Sequence, residues 1–255
     1  MKISKRVLLL VLIVTFGLAF NIGTLRAEET KMYKIGAILP LTGNLAVLGE
    51  PEKNGMSLAV EEINTENSLN GKKIKIIFED SMGKAKEGVT AVNKLIEIDK
   101  VSVLLASTTG ISRSIAPIAD SRRIPFLSLS MDPTIQKDSK YVFRLYESMG
   151  QEAEVLLSYF KDRKDINKVG ILYVHHQGAE QQLNDYFIPS FKKMGIEVAV
   201  AETYEISEKD FKSHIAKIKA SKVNYLLIIG YGFEYPIIFK ELKQYDVIGN
   251  ISILL

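Results

Sequence analysis

The side chains of this 255-residue sequence that could do chemistry are hydroxyls, carboxylates and three histidines; cysteine is absent. Disulfides and thiolate metal sites are therefore excluded. His175 and His176 are adjacent and cannot share one face, and His214 reads onto a polar helix surface. No H-x-x-x-H spacing, carboxylate–histidine cluster or G-x-S-x-G elbow is visible in the sequence, so no catalytic residue, metal or cofactor is assigned. Nucleotide binding has little support. The segment ILPLTGNLAVLGE fits neither the dinucleotide nor the P-loop spacing, and GYGFE lacks the third glycine of a dinucleotide fingerprint.

Two short stretches point to recognition instead. Ser107-Thr108-Thr109-Gly110 lies between a strand pattern and a helix pattern, where hydroxyls and unpaired helical N–H groups converge on a carboxylate. The alternative use of Thr109 is to cap the helix. In NYLLIIGYGFEYP (224–236), an apolar run stops at Gly230 and one acid, Glu234, follows among Tyr231 and Phe233. A loop carboxylate is ordinarily solvated; one aimed into a cleft can meet a cation. Together the stretches suit a zwitterion, with its carboxylate at Thr109, its ammonium at Glu234, and Tyr231 and Phe233 as walls. Each charge needs a partner once water leaves.

The elements that must position these groups alternate. Strand patterns at 33–39, 73–79, 101–106 and 124–128 are separated by helical periods at 52–64, 85–98 and 112–121. After 141–145 a second series begins, with helices at 151–160, 181–194, 211–220 and 237–244. Its strands are 169–174, 196–201 and 225–229, and 251–254 starts another. Ser207 and Asp210 have the spacing of a capping pair at the 211 helix. Such alternation implies an α/β protein with two parallel-sheet lobes, each sheet flanked by helices. Ligands of such sheets sit beyond the carboxyl ends of the strands, where both stretches lie.

The first 27 residues read as a secretory leader: Lys2, Lys5 and Arg6, an apolar run, then small and polar residues to Ala27. An uncleaved membrane anchor is the alternative, although the run is short for a span. Four of the 33 Lys and Arg lie in the leader, leaving 29 against 30 Asp and Glu in the remainder, a net charge of −1. No basic patch interleaved with aromatics remains, so nucleic acid is not an expected partner.

At these residues the sequence resembles the type I periplasmic solute-binding proteins of branched-chain amino acid ABC transporters. The resemblance is carried, in order, by IGAILPLTGNLAVLGEPEKNGMSLAVEEIN (35–64), NGKKIKIIFED (70–80), TTGISRSIAPIAD (108–120), IPFLSLSMDP (124–133), KDF (209–211) and GYGFE (230–234). It implies a hinged, two-lobed protein of the periplasm, not an enzyme, that closes on an amino-acid-like ligand and delivers it to a membrane permease. It further implies that the position of Thr109 holds the ligand carboxylate and that of Glu234 the ammonium. The family often places a threonine for the ammonium after the fourth strand; here SLSMDP is one residue short, with Ser130 the nearest hydroxyl. Met131, Leu48 and Gly178-Ala179 also depart from the usual pattern, leaving room for a ligand other than a branched-chain amino acid. The ligand-binding set is thus Ser107, Thr108, Thr109, Ser130, Tyr231 and Glu234. Domains are expected at 31–145 and 146–248, with 249–255 starting a return to the first lobe. Such proteins are longer than this chain, which reads as a truncated member with its first lobe incomplete. A ligand-sensing receptor domain of the same fold, a non-functional truncated member and an exported α/β enzyme are the alternatives.

Overall fold

The structure, a computed structural model, describes residues 32–161 and 163–255. The expected leader at 1–27 lies outside the described residues. Among those described, no helix is long and apolar enough to cross a membrane.

In the first lobe β1 (Met32–Leu39), α1 (Ala46–Thr65), β2 (Lys73–Asp80), α2 (Ala85–Lys94), β3 (Val103–Ser107), α3 (Thr109–Ser121), β4 (Phe126–Leu129) and β5 (Val142–Arg144) follow one another. The five strands form one parallel sheet in the order β2-β1-β3-β4-β5. In the second lobe come α4 (Met149–Lys161), β6 (Lys168–Val174), α5 (Gln177–Gln182), α6 (Ile188–Met194), β7 (Glu197–Tyr204), α7 (Lys212–Ser221), β8 (Tyr225–Ile229), α8 (Tyr235–Gln244) and β9 (Ser252–Leu254). Its four strands are parallel in the order β7-β6-β8-β9. The near-continuous apolar runs of β6 and β8 suit strands covered on both faces.

Three of the element boundaries that differ from the periodicity reading matter to the site. α1 begins six residues before position 52, because Gly49 and Pro51 interrupt the apolar pattern without ending the helix. Gly49 is required there: a Cβ would collide with the carbonyl of Pro40, so only glycine lets α1 rest against the end of β1. α3 begins at Thr109 rather than 112. β7 runs three residues past 201 and ends on the buried Tyr204.

Two expectations are corrected. Residues 249–255 do not start a return to the first lobe within the described chain; Ser252–Leu254 extends the second sheet beside β8. Ser207 and Asp210 do not form a reciprocal cap. Asp210 Oδ1 accepts from the Lys212 amide at 3.1 Å, and the Phe211 amide is taken by Glu241 Oε2 at 2.9 Å.

The lobes differ in how their sheets are covered. The second carries two buried clusters, one around Leu172, Phe211 and Ile228 and another around Ile171, Phe187, Phe191 and Leu227. The first carries one, around Ile38, Leu95, Leu104, Ile115 and Phe126. α1 lies along β1 and β2, pinned by Asn64, whose side chain exchanges 2.8 Å hydrogen bonds with the Ile74 backbone. Yet Gly49 is its sole fully buried residue.

Candidate functional site

A cavity of about 480 Å³ opens between the lobes at the carboxyl ends of both sets of strands, a volume ordinary for a small-molecule site. From the first lobe it is lined by Leu48, Glu52, Thr108, Thr109, Ser130 and Met131, and from the second by His176, Gly178, Tyr231 and Tyr235, among others.

On the first-lobe side the chain leaves β3 through Thr108, whose φ of 66° and ψ of 144° are strained for a β-branched residue. This turn points Thr109 inward at the first position of α3. Its hydroxyl does not cap the helix: Thr109 Oγ1 pairs with Ser130 Oγ at 3.0 Å, and both residues are buried. Ser130 Oγ in turn accepts from the Asp132 amide at 3.1 Å. Burial alone would raise the pKa of Asp132, but Arg113 and the Thr134 amide and hydroxyl outweigh it and hold it below the usual carboxylate range. Arg113 also donates from Nη2 to Gln181 Oε1 of the second lobe at 2.7 Å. One guanidinium therefore ties the cradle's support to the opposite lobe.

On the second-lobe side Glu234 is 3% exposed. Its Oε1 accepts from Tyr204 Oη at 2.5 Å and from the Tyr231 amide at 2.8 Å. Burial first, and the Glu234 carboxylate second, push the Tyr204 pKa far up, so this phenol remains a donor. Glu234 Oε2 is buried and has no hydrogen-bond partner among the described residues. Glycine at 230 leaves room for this pair: a Cβ there would displace both Glu234 Oε1 and Tyr204 Oη. The carboxylate lies one layer behind the surface formed by Gly230, Tyr231 and Tyr235. Burial and then Glu234 push the Tyr235 phenol up to about 12.

Of the six residues assigned from sequence, Thr108, Thr109, Ser130 and Tyr231 line the cavity, whereas Ser107 and Glu234 are buried just behind it. Phe233 stacks on the ring of Tyr231 at 6.0 Å and is 38% exposed, so it braces that wall from outside instead of forming it. Leu48 and Met131 both face the cavity.

Sequence reasoning missed Glu52, Tyr146, Glu147 and Glu152 on the cavity wall. It also placed the histidines too simply. His176 lines the cavity edge-on to Tyr231, at 5.7 Å, and burial lowers its pKa. His214 is held between Glu202 at 3.0 Å and Glu208 at 2.8 Å, a carboxylate–histidine cluster that no sequence spacing announced. Only His175 is exposed, paired with Glu205 and Glu180. Among the described residues no group of three or more His, Asp or Glu is placed to hold a metal ion.

The profile of a family described as periplasmic binding protein matches residues 32–254, nearly all of the described chain. The chain belongs to the periplasmic binding protein family. A Leu/Ile/Val-binding protein homolog 3 of Brucella melitensis is 30% identical over 218 residues, which cover 82% of this chain and 57% of that protein. A leucine-, isoleucine-, valine-, threonine- and alanine-binding protein of Pseudomonas aeruginosa is 25% identical over 83% of this chain and 57% of that protein. The chain thus spans less than two thirds of the relatives it matches. Among solved structures, the branched-chain amino acid substrate-binding protein LivJ of Streptococcus pneumoniae, in complex with isoleucine, superposes with a TM-score of 0.74. That match is 24% identical and covers 88% of this chain and 63% of LivJ. A solute-binding protein of Rhodopseudomonas palustris in complex with 3,4-dihydroxybenzoic acid gives 0.75 at 21% identity, covering 87% of this chain and 61% of that one. These likenesses bear out the two-lobed α/β fold; the relatives are named as binding proteins rather than enzymes, and the two solved structures as transporter solute- or substrate-binding proteins.

Proposed function

We propose that this chain is the extracytoplasmic solute-binding protein of an ABC transporter, exported to the periplasm, and that it takes an amino-acid-like zwitterion in the interlobe cavity for delivery to a membrane permease. The observation that carries this reading is the opposition of two incomplete polar sets across one cavity. The first lobe offers the Thr109–Ser130 hydroxyl pair at the N-terminus of α3, where helical N–H groups and dipole favour a carboxylate. The second offers a buried carboxylate with one oxygen unpaired, behind a tyrosine wall. For an ammonium to meet Glu234 Oε2, the wall formed by Gly230, Tyr231 and Tyr235 has to open toward it. A ligand held by both lobes stabilises the closed arrangement in proportion to the contacts it makes only there.

The names of the relatives favour an amino acid, while one structural neighbour holds an aromatic acid. The carboxylates Glu52, Glu147 and Glu152 on the wall disfavour a simple anion. Calorimetry against a panel of amino acids plus benzoate tests the reading. Binding of an amino acid, weakened in Glu234→Gln, is the expected result. Binding of benzoate alone, or amino-acid binding untouched by Glu234→Gln, refutes it.

A further inference from the structure

The zwitterion reading leaves Glu52 unused. Glu52 lies one helical turn after Leu48 on α1, and both face the cavity. Its Oε2 is closed off from solvent and has no hydrogen-bond partner among the described residues; the same holds for the hydroxyl of Ser107, which is 1% exposed. The two groups are neighbours: burial raises the Glu52 pKa, and the nearby Ser107 hydroxyl partly opposes that rise. A carboxylate oxygen only accepts, so a donor on a ligand in the cavity completes Glu52, while the Ser107 hydroxyl behind it can turn its own proton toward the same carboxylate.

The charge around them is one-sided. Glu147 and Glu152 line the same cavity, and burial together with Glu147, Glu152 and Glu52 raises the pKa of the Tyr146 hydroxyl on its wall. Glu152 is already engaged, accepting from Gln182 Nε2 at 2.6 Å, and Glu147 is exposed. No lysine or arginine is among the lining residues, and His176 is partly buried, which disfavours its charged form. A neutral side chain bound here would leave the Glu52 charge unmatched as water is excluded.

We propose that the cavity selects an amino acid with a second cationic group, an ammonium or guanidinium on its side chain, and that Glu52 with Ser107 receives that distal group. This rests on the zwitterion reading for the α-carboxylate and α-ammonium, and adds the side-chain class.

Calorimetry of the purified chain with lysine and with norleucine, which has no distal ammonium, tests it, run on wild type, Glu52→Gln and Glu52→Asp in two buffers of different ionisation enthalpy. Lysine is expected to bind about 30-fold more tightly than norleucine in wild type. Glu52→Gln brings the two within about threefold, and Glu52→Asp, which keeps the charge, retains part of the preference. At a pH low enough for Glu52 to be partly protonated in the free protein, lysine binding to wild type also releases protons, read as a buffer-dependent enthalpy, because the cation draws the raised Glu52 pKa back down. Equal affinities for lysine and norleucine in wild type overturn the inference and leave the zwitterion reading standing. So does a lysine preference that survives Glu52→Gln. Failure of both amino acids to bind overturns the inference, and the zwitterion reading falls with it only if the rest of the amino-acid panel also fails.

Discussion

The two walls of the cavity are built in different ways. The first-lobe wall is made of backbone geometry and small hydroxyls: a strained Thr108, a helix start, and Thr109 paired with Ser130. The second-lobe wall is made of large rings over a buried acid, with Tyr204 and the Tyr231 amide fixing Glu234. The supporting cores differ in the same sense. The second sheet has buried clusters on both faces, the first has one, and α1 buries little besides Gly49. A negative ligand group needs only convergent donors, which a helix start supplies at small cost. The α-ammonium meets a carboxylate that is fully desolvated, and Glu234 has the better-packed lobe around it to hold it.

The largest expected effect probes that difference in packing. Phe191→Ala in the second lobe should cost about 3–5 kcal/mol of stability, since Phe191 is fully enclosed. Ile63→Ala on the partly exposed face of α1 should cost less than about 1 kcal/mol. Chemical denaturation of both variants checks the contrast, and equal losses would break it. Next in size, Glu234→Gln keeps the shape but removes the charge, and should weaken amino-acid binding by about 2–3 kcal/mol, read by calorimetry. Arg113→Ala removes the cation from Asp132 and the link to Gln181. Full burial of such a pair would make the loss about 3–5 kcal/mol; with Arg113 42% exposed, about 1–2 kcal/mol is expected in thermal unfolding. The smallest effect belongs to Glu52. Its folded pKa is raised, so its charge destabilises the ligand-free protein above that pKa and is without effect below the ordinary glutamate value of 4.5. Glu52→Gln should therefore raise Tm slightly at pH 7 and leave it unchanged at pH 3.

The alternation of apolar runs and helical periods made the α/β architecture legible, because strands covered on both faces and helices with one apolar stripe write different periods into the chain. The Thr108–Thr109 hydroxyls were only half legible: Ser and Thr between a strand end and a helix start commonly cap the helix, and only the structure shows that Thr109 pairs with Ser130 instead. Glu52 was not. It stands on a helix position that reads as solvated, and faces the cavity only because Gly49 lets α1 lean on the Pro40 carbonyl. Tyr204 was missed because the apolar pattern of β7 fades three residues before the strand ends. The Glu202–His214–Glu208 cluster joins residues from separate elements, which no local spacing encodes. The extension of the second sheet by β9 was missed too, since a three-residue strand carries no mark of which sheet it will join.

The central claim is that the first-lobe cradle holds a ligand carboxylate. It is tested most directly by titrating an amino acid and its methyl ester into wild type and Thr109→Val. Esterification removes the negative charge and keeps the rest of the ligand. Wild type is expected to bind the ester about tenfold more weakly than the acid, and Thr109→Val to show a clearly smaller difference. Equal affinity of wild type for acid and ester would contradict the account.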